Sequence, residues 1–275
     1  MRSNRIALIS VNQYKVPYPV YPIGLSYLAS FLRENGDWDV RIIDLNISDI
    51  AAGMEILRAF NPSFVGLSLR NVDDVNFYNQ ENFIFAYRNL ISEIRTRMDA
   101  VIILGGAGFS LYPEHLFEFL KPDYALKGEG EESLCELVSV LKKGENPEHV
   151  RGLVYSHNNM TVVNERAISR SHNDYPLRYE KEIVPYYWKN SGMLNLQTKR
   201  GCPYQCIYCT YPLIEGTKVR MNSLDRVMES IDNLYHEHGV DYIFITDSVF
   251  NLDRDYNREF SRRLIESKIP MRWGA

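Results

Sequence analysis

The chain has 275 residues, of which 45% are hydrophobic and 24% are charged, and its formal net charge at pH 7 is −4. This length is enough for one large domain or two modest ones. The sequence lacks the run of about 18 apolar residues that crosses a bilayer, and the slightly acidic balance argues against a nucleic-acid surface. An ordinary soluble globular protein with neither membrane nor nucleic-acid partners is therefore expected.

The first half of the chain alternates short apolar runs with amphipathic patterns, which is typical of a parallel sheet covered by helices. Strands are predicted at Ile6–Val11, Val40–Leu45, Phe64–Leu69, Val101–Leu104 and Tyr124–Lys127. Helices, with apolar residues at helical spacing, are predicted at Ile23–Asn35, Asn82–Met98 and Glu131–Leu141. Residues 1–145 are thus predicted to form a doubly wound, flavodoxin-like or Rossmann-like α/β domain.

The start of the chain bears on its compartment. Polar and charged residues lead directly into the first predicted strand at Ile6, and no apolar segment of the kind found in secretion signals precedes it. A reducing, cytoplasmic setting is expected, in which cysteines stay unpaired. Cys135 lies in an amphipathic helical stretch and is predicted to be a buried small apolar residue.

Glycines crowd the turn after the fourth predicted strand, at Gly105, Gly106 and Gly108. Ligands of doubly wound sheets bind beyond the carboxyl ends of the strands, and glycines let backbone N–H groups approach a phosphate or an amide. A tight strand-to-helix turn explains the same glycines, and the dinucleotide fingerprint G-x-G-x-x-G is absent. Both readings stay open on these residues alone.

The second half begins with an irregular connection, residues 146–190, that carries one predicted hairpin. Its strands, Gly152–Tyr155 and Thr161–Val163, join across the turn pair Asn158–Asn159. Parallel strands with crossover helices then indicate the first part of a (β/α) barrel over residues 191–275. The predicted barrel elements are strands Met193–Thr198, Tyr242–Ile245 and Pro270–Trp273 and helices Leu224–His238 and Asp255–Ser267.

Three cysteines, Cys202, Cys206 and Cys209, follow the first barrel strand with C-x3-C-x2-C spacing. Thiolates are soft ligands, and a short loop can wrap the irons of one iron-sulfur cube. Because a cube has one more iron than this loop has thiolates, one iron stays open for a small molecule. Zinc, which normally takes four ligands, and a disulfide, which suits a secreted protein, are the alternatives. Ligand number and loop chemistry favour the iron-sulfur cluster.

This spacing, with the aromatic Tyr208 before the last cysteine, resembles the signature of the radical S-adenosylmethionine (SAM) enzymes. The resemblance implies a 4Fe-4S cluster whose open iron binds SAM, with Tyr208 among the cofactor contacts, and a reductive cleavage of SAM that yields a 5'-deoxyadenosyl radical. An electron donor such as a flavodoxin or ferredoxin is implied as well. By position, Asp247 and Ser248 match the family's polar segment that holds the SAM amino group, although a helix-capping role also explains Asp247. Gly216–Arg220 resembles the stretch that follows the family's cluster loop.

The motifs ahead of the cysteine loop resemble the cobalamin-binding domain that precedes many radical SAM enzymes. The matching segments are Pro22–Ala29, Asp44, Ile102–Gly106 and Lys127–Glu131. The likeness implies that the first domain binds cobalamin, with Gly105, Gly106 and Gly108 in the cofactor loop. The Asp-x-His-x-x-Gly motif of some cobalamin proteins is absent, so histidine is not expected below the cobalt.

Together the resemblances imply cobalamin-dependent methyl transfer to an unactivated carbon of a small-molecule or natural-product-like substrate. Oxidative ring formation or rearrangement is the alternative within the superfamily, and a non-catalytic cobalamin-binding module is the alternative from another class. Residues 191–275 supply only part of a barrel. We therefore expect the chain to be a fragment, or to be completed by another chain, and to be inactive alone.

Overall fold

The structure is a computed structural model that describes residues 2–74, 76, 78, 80–169 and 177–275. The chain forms two compact units, one of residues 1–14 and 31–170 and one of residues 15–30 and 171–275. Part of the predicted connection, residues 170–176, lies outside the described residues. The units are not consecutive along the chain, because residues 15–30 are grouped with the carboxyl-terminal half.

The amino-terminal unit is built on a seven-stranded sheet with the order β2-β1-β3-β4-β5-β6-β7. Its strands are β1 Arg5–Ser10, β2 Asp39–Asp44, β3 Phe64–Ser68, β4 Val101–Gly105, β5 Tyr124–Leu126, β6 Leu153–His157 and β7 Met160–Val163. The pairs among β1 to β5 are parallel, whereas β6 and β7 pair antiparallel. The doubly wound prediction is confirmed, and each of its five strands lies within one residue of an observed strand.

Among the described residues, six helices fall between β1 and β6 along the chain, and the first of them is divided between the two units. They are α1 Ile23–Gly36, α2 Ile50–Phe60, α3 Ile84–Arg97, α4 Ala107–Leu111, α5 Pro113–Leu120 and α6 Glu131–Lys143. The sequence prediction omitted α2, although Asp49 caps it by accepting a hydrogen bond from the Ala52 N–H at 2.8 Å. Met54 and Leu57 on its inner face are buried. A capped helix with an apolar face supplies the crossover that two parallel strands need.

The core of this unit lies on both sides of the central strands. β1, β3 and β4 are nearly continuous runs of buried side chains, as central parallel strands are. Each large side chain buried this way stabilises the fold by about 1.5–3 kcal/mol. Because these strands are parallel, the ends of their apolar runs also mark the carboxyl edge of the sheet.

The predicted hairpin is confirmed and extends the sheet. Asn158 and Asn159 have positive φ angles of 51° and 61°, which suit a two-residue turn between antiparallel strands. β6 pairs antiparallel with β5, with Ala125 opposite Val154. Because of this pairing, the hairpin extends the sheet of the amino-terminal unit.

The carboxyl-terminal unit contains a three-stranded parallel sheet with the order β12-β11-β8 and a separate two-stranded ribbon, β10-β9. Its strands are β8 Leu194–Leu196, β9 Lys199–Arg200, β10 Arg220–Met221, β11 Tyr242–Ile245 and β12 Arg272–Gly274. Its helices are α7 Val184–Ser191, α8 Tyr211–Ile214, α9 Leu224–Asp232 and α10 Arg254–Ser267. The parallel β/α arrangement predicted for the start of a barrel is confirmed, whereas α7 was not predicted.

Two details of this unit refine the predicted elements. The single helix predicted at Leu224–His238 is α9 followed by a π-helical turn, Asn233–Glu237, and Ser223 caps it by accepting from the Arg226 N–H. A 3-10 turn, Phe250–Leu252, precedes α10. In the described part of the chain, no helix combines the length and the apolarity that a membrane span requires.

Candidate functional site

The three predicted metal ligands lie on the loop between β9 and α8, which we call the cysteine loop, Gly201–Thr210. Cys202 is buried, Cys206 is exposed and Cys209 is half-buried, and all three are free thiols. Among the described residues, no three His, Cys, Asp or Glu side chains converge as the ligands of a metal ion. The structure therefore brings the three thiols onto one loop but holds their sulfur atoms apart.

The base of the cysteine loop is fastened by its backbone. The Cys202 N–H donates to the Gly216 carbonyl at 3.0 Å. Gly201 has a φ of +87°, and a Cβ there would collide with the Lys218 carbonyl oxygen. Only glycine can adopt this conformation at such close range. The fixed base sets the direction in which the three cysteines leave β9.

The middle of the cysteine loop, residues 204–208, carries large exposed apolar side chains, and we call it the crest of the loop. Ile207 is fully exposed and Tyr208 is 86% exposed, and Tyr204 next to them is also exposed. Large apolar side chains grouped at the surface mark a contact site more often than isolated ones do. Tyr208, predicted to contact a cofactor, is thus open to a ligand, and that role stays a prediction.

Asp247 follows β11, and its carboxylate is completely buried. Oδ1 accepts from the backbone N–H groups of Thr198 at 2.7 Å and Lys199 at 3.1 Å. Oδ2 accepts from Thr198 Oγ1 at 2.5 Å and from Lys199 Nζ at 2.9 Å. All four donors belong to this chain, so Asp247 fixes the segment that leads into the cysteine loop and presents no oxygen to solvent. A direct contact between Asp247 and SAM stays a prediction.

Lys199 is the buried partner of Asp247, with a side-chain exposure of 1%. Its Nζ lies 4.7 Å from the centre of the Phe250 ring and 5.2 Å from that of Tyr256. The Tyr256 hydroxyl donates to the Thr198 carbonyl at 3.2 Å. Burial, and to a smaller extent the charge of Asp247, raises the pKa of Tyr256 above its usual value of 10.0, so the phenol stays a neutral donor.

Ser248 leads to a residue that sequence reasoning missed. Its Oγ donates to Glu215 Oε2 at 2.7 Å, and the same oxygen accepts from the Gly201 N–H at 3.0 Å. Glu215 Oε1 accepts from Gln197 Nε2 at 3.0 Å. The three donors are 33, 14 and 18 residues away in sequence. No local pattern could therefore have singled out Glu215.

The three predicted glycines of the amino-terminal unit differ in what they do. Gly106 has a φ of +107°, and a Cβ there would lie 2.5 Å from the Leu69 carbonyl oxygen. A Cβ on Gly108 would lie 2.5 Å from Leu69 Cδ2. A Cβ on Gly105 would make only an ordinary contact, 3.6 Å from the Leu126 carbonyl. The tight-turn reading accounts for Gly106 and Gly108, while Gly105 has no such packing requirement; their cofactor role stays a prediction.

Ser110 ties this turn to the loop that follows β5. Its Oγ donates to the Gly106 carbonyl at 2.9 Å and accepts from the Gly128 N–H at 3.0 Å. The Leu69 N–H donates to the Gly105 carbonyl at 2.8 Å. These bonds hold three neighbouring backbone segments in place at the carboxyl edge of the sheet, where doubly wound proteins bind ligands.

The fourth cysteine stands apart from this chemistry. Cys135 is buried in α6, as predicted, and burial raises the pKa of its thiol. A buried thiol with a raised pKa is a poor nucleophile and a poor metal ligand. Cys135 therefore provides a matched control for substitutions in the cysteine loop.

Comparison with known proteins decides the family. The B12 binding domain model matches residues 9–138, and the Radical SAM superfamily model matches residues 196–273. The chain belongs to the cobalamin-binding radical SAM proteins. In this radical SAM chain the second match contains the cysteine loop together with Glu215, Asp247 and Ser248, and the first contains the glycine turn after β4.

Relatives of this radical SAM chain include methyltransferases. Tryptophan 2-C-methyltransferase of Streptomyces laurentii is 26% identical over 98% of this chain and 53% of its own length. An uncharacterized methyltransferase of Pyrococcus horikoshii is 30% identical over 92% of this chain and 54% of its own length. The solved structure of TsrM from Kitasatospora setae, a radical SAM methyltransferase with cobalamin and a [4Fe-4S] cluster bound, matches with a TM-score of 0.87 and 26% identity over 98% of this chain and 54% of that one. The chain thus spans about half the length of the relatives it matches.

Proposed function

We propose that this chain is part of a cobalamin-dependent radical SAM methyltransferase that methylates a carbon atom of a small-molecule substrate. One observation carries the proposal: a C-x3-C-x2-C loop with an exposed crest follows the first strand of a parallel β/α sheet, in the same chain as a doubly wound sheet. Support comes from the 26% identity to TsrM, a methyltransferase whose structure holds both cofactors.

Cys202, Cys206 and Cys209 are the proposed ligands of a 4Fe-4S cluster. The donor set fits, since three soft thiolates come from one loop and the remaining cysteine, Cys135, is an inert core residue. The fixed base of the loop confines any rearrangement that gathers the sulfur atoms to its exposed crest. The bound cluster supplies the electron for reductive chemistry on SAM, and a flavodoxin or ferredoxin is the donor we propose.

For SAM, the proposed contacts are Tyr208 and Ser248, and Asp247 is proposed to act on SAM binding indirectly. Tyr208 offers an open aromatic face, and Ser248 is oriented by its hydrogen bond to Glu215. Asp247 acts mainly through Thr198 and Lys199, because all of its bonds go to them. Its role toward SAM is therefore to orient the cysteine loop.

For cobalamin, the proposed loop is the turn after β4. Gly106 and Gly108 allow the turn to pack against the end of β3, and Gly105 leaves the backbone free of a side chain. A backbone without side chains suits the close approach of a large, flat cofactor. The four free cysteines fit the reducing cytoplasm in which we place the protein.

The test follows a labelled methyl group. The whole protein of which this chain is proposed to be part is loaded anaerobically with iron, sulfide and hydroxocobalamin, reduced, and mixed with SAM that carries a 13C-methyl group. Mass spectrometry should find the label on protein-bound cobalamin, together with S-adenosylhomocysteine. Formation of 5'-deoxyadenosine without any methyl transfer to cobalamin would contradict methyltransferase function and support ring formation or rearrangement. Cobalamin binding without any consumption of SAM would support the non-catalytic module.

A further inference from the structure

The carboxylate of Glu215 is the meeting point of three segments of the carboxyl-terminal unit. Oε2 accepts from the Gly201 N–H and from Ser248 Oγ, and Oε1 accepts from Gln197 Nε2. Hydrogen bonds to a charged acceptor are about twice as strong as those between neutral groups. The carboxylate therefore joins the end of β8, the start of the cysteine loop and the segment after β11 in one cluster.

We propose that Glu215 is the positioning residue of the cysteine loop: it holds the Gly201 end of the loop and couples that end to Ser248. The inference rests on the proposed function, because the loop is proposed to bind an iron-sulfur cluster. Its geometry does not depend on a bound cluster. No sequence motif marks this residue, and its partners converge only in the folded chain.

The backbone of Glu215 is held as firmly as its side chain. Its N–H donates to the Tyr211 carbonyl at 2.8 Å, which ends α8. Its carbonyl accepts from Arg220 Nη2 at 2.8 Å. Arg220 in turn pairs with Arg200 in the β9–β10 ribbon. The Glu215 backbone is therefore anchored by α8 and β10, the two elements that follow the cysteine loop.

The hydrogen-bonded group around Glu215 extends through Gln197 to Arg200, on the amino-terminal side of the loop. Gln197 Oε1 accepts from Arg200 Nε at 2.9 Å, while its Nε2 donates to Glu215. The Arg200 guanidinium lies 4.6 Å from the centre of the Tyr27 ring. Both polar atoms of the Gln197 amide are hydrogen-bonded. If glutamine replaced Glu215, Gln197 could offer an acceptor to the new amide N–H only by flipping. That flip would break the bond between Gln197 Oε1 and Arg200.

Two carboxylates thus hold neighbouring residues of one backbone segment, residues 198–201. Asp247 binds the N–H groups of Thr198 and Lys199, and Glu215 binds the N–H of Gly201. Ser248 lies next to Asp247 in sequence and donates to Glu215. Since Ser248 is a proposed SAM contact, a change at the SAM segment is transmitted to the start of the cysteine loop through one hydrogen-bonded carboxylate.

The test measures the reactivity of two cysteines in the protein before any cluster is assembled. Cys202 is buried and Cys206 is exposed, so alkylation of Cys206 serves as an internal reference. Peptide mass spectrometry gives the ratio of the two alkylation rates for wild type, E215A, E215Q and S248A. The matched control is E229Q, because the Glu229 carboxylate forms a surface ion pair with Arg226 on α9.

Opening of the loop base exposes Cys202. We expect E215A to raise the Cys202 rate relative to Cys206 by at least about tenfold, the change that losing the charge-assisted hydrogen bond from the Gly201 N–H alone would produce. E215Q should raise it less, because one oxygen remains an acceptor, and E229Q should leave the ratio unchanged. S248A should raise the ratio, and adding it to E215A should have little further effect because both act through one carboxylate.

Other outcomes overturn the proposal. An unchanged ratio in E215A would show that Glu215 does not hold the loop, and equal changes in E215A and E229Q would show a general loss of stability. The proposed function can fail while the positioning role holds. This would be the result if wild-type protein assembled no iron-sulfur cluster but E215A still exposed Cys202 selectively. In cluster-loaded protein, E215A should bind less iron per chain than E229Q, and equal iron contents would contradict a positioning role.

Discussion

Lys199 and Asp247 form a buried ion pair that anchors the backbone leading into the cysteine loop. Taking two charges out of water is costly, and their attraction offsets that cost only when further hydrogen bonds satisfy both groups. Asp247 accepts four hydrogen bonds, and Lys199 also faces two aromatic rings. The pair therefore fixes local geometry more than it adds net stability.

Breaking this pair from one side should be severe. D247N leaves the Lys199 ammonium buried without its counter-charge, and we expect the free energy of unfolding to fall by about 3–5 kcal/mol. K199M should also destabilise, and the double variant K199M/D247N should lose less than the sum of the two single losses. Denaturant unfolding of each variant measures these free energies.

A surface pair supplies the control for this experiment. Lys181 and Glu237 are 3.7 Å apart with side chains 76% and 54% exposed, so K181M should change stability by less than about 1 kcal/mol. If D247N were as mild as K181M, the buried pair would not anchor the strand.

Single residues differ in how far the sequence revealed them. The three cysteines were visible because their spacing is local. Glu215 was not, because its partners come together only through the pairing of distant segments. Asp247 was found by position, but its complete burial could not be read from neighbouring residues.

The turn after β4 is the element whose three glycines the sequence could not distinguish. The structure separates them by φ and by what a Cβ would meet. G106A requires a positive φ and a 2.5 Å approach to the Leu69 carbonyl, and it should lower the free energy of unfolding by about 1–3 kcal/mol. G105A meets no such obstacle and should change it by no more than about 0.5 kcal/mol.

The same pair of variants tests the cobalamin proposal at this element. G105A should fold normally and bind hydroxocobalamin more weakly, because a methyl group would cover the backbone that the cofactor approaches. The measurements are thermal unfolding and titration of the cofactor by absorbance. Wild-type affinity in G105A would remove Gly105 from the proposed cofactor loop, and an unaltered stability of G106A would contradict the packing account.

Secondary structure was predictable wherever a local signal was strong. β1 to β5 were found because apolar runs define central parallel strands, and α6 because its apolar residues recur at helical spacing. α2 was missed despite its Asp49 cap, and α7 was missed because proline and aromatic residues obscure its pattern. The π-helical turn after α9 has no signal in the sequence.

At the scale of the whole chain, the linear order of domains does not give the compact units. Residues 15–30 belong with the carboxyl-terminal unit, where Asn195 Nδ2 donates to the Tyr21 carbonyl and Ser30 Oγ accepts from the Arg178 N–H. These contacts join residues 174 and 148 positions apart. Contacts of such range are set by tertiary packing, so no boundary signal marks them in the sequence.

The central claim is that the cysteine loop holds an iron-sulfur cluster. The most direct measurement is the iron and sulfide content of anaerobically reconstituted wild type, C206A and C135A, with Mössbauer spectra of each. The account predicts about four irons per chain in wild type and in C135A, with the spectrum of a cube, and a marked loss in C206A. Zinc in the loop, or absence of iron while all three loop thiols are intact, would contradict it.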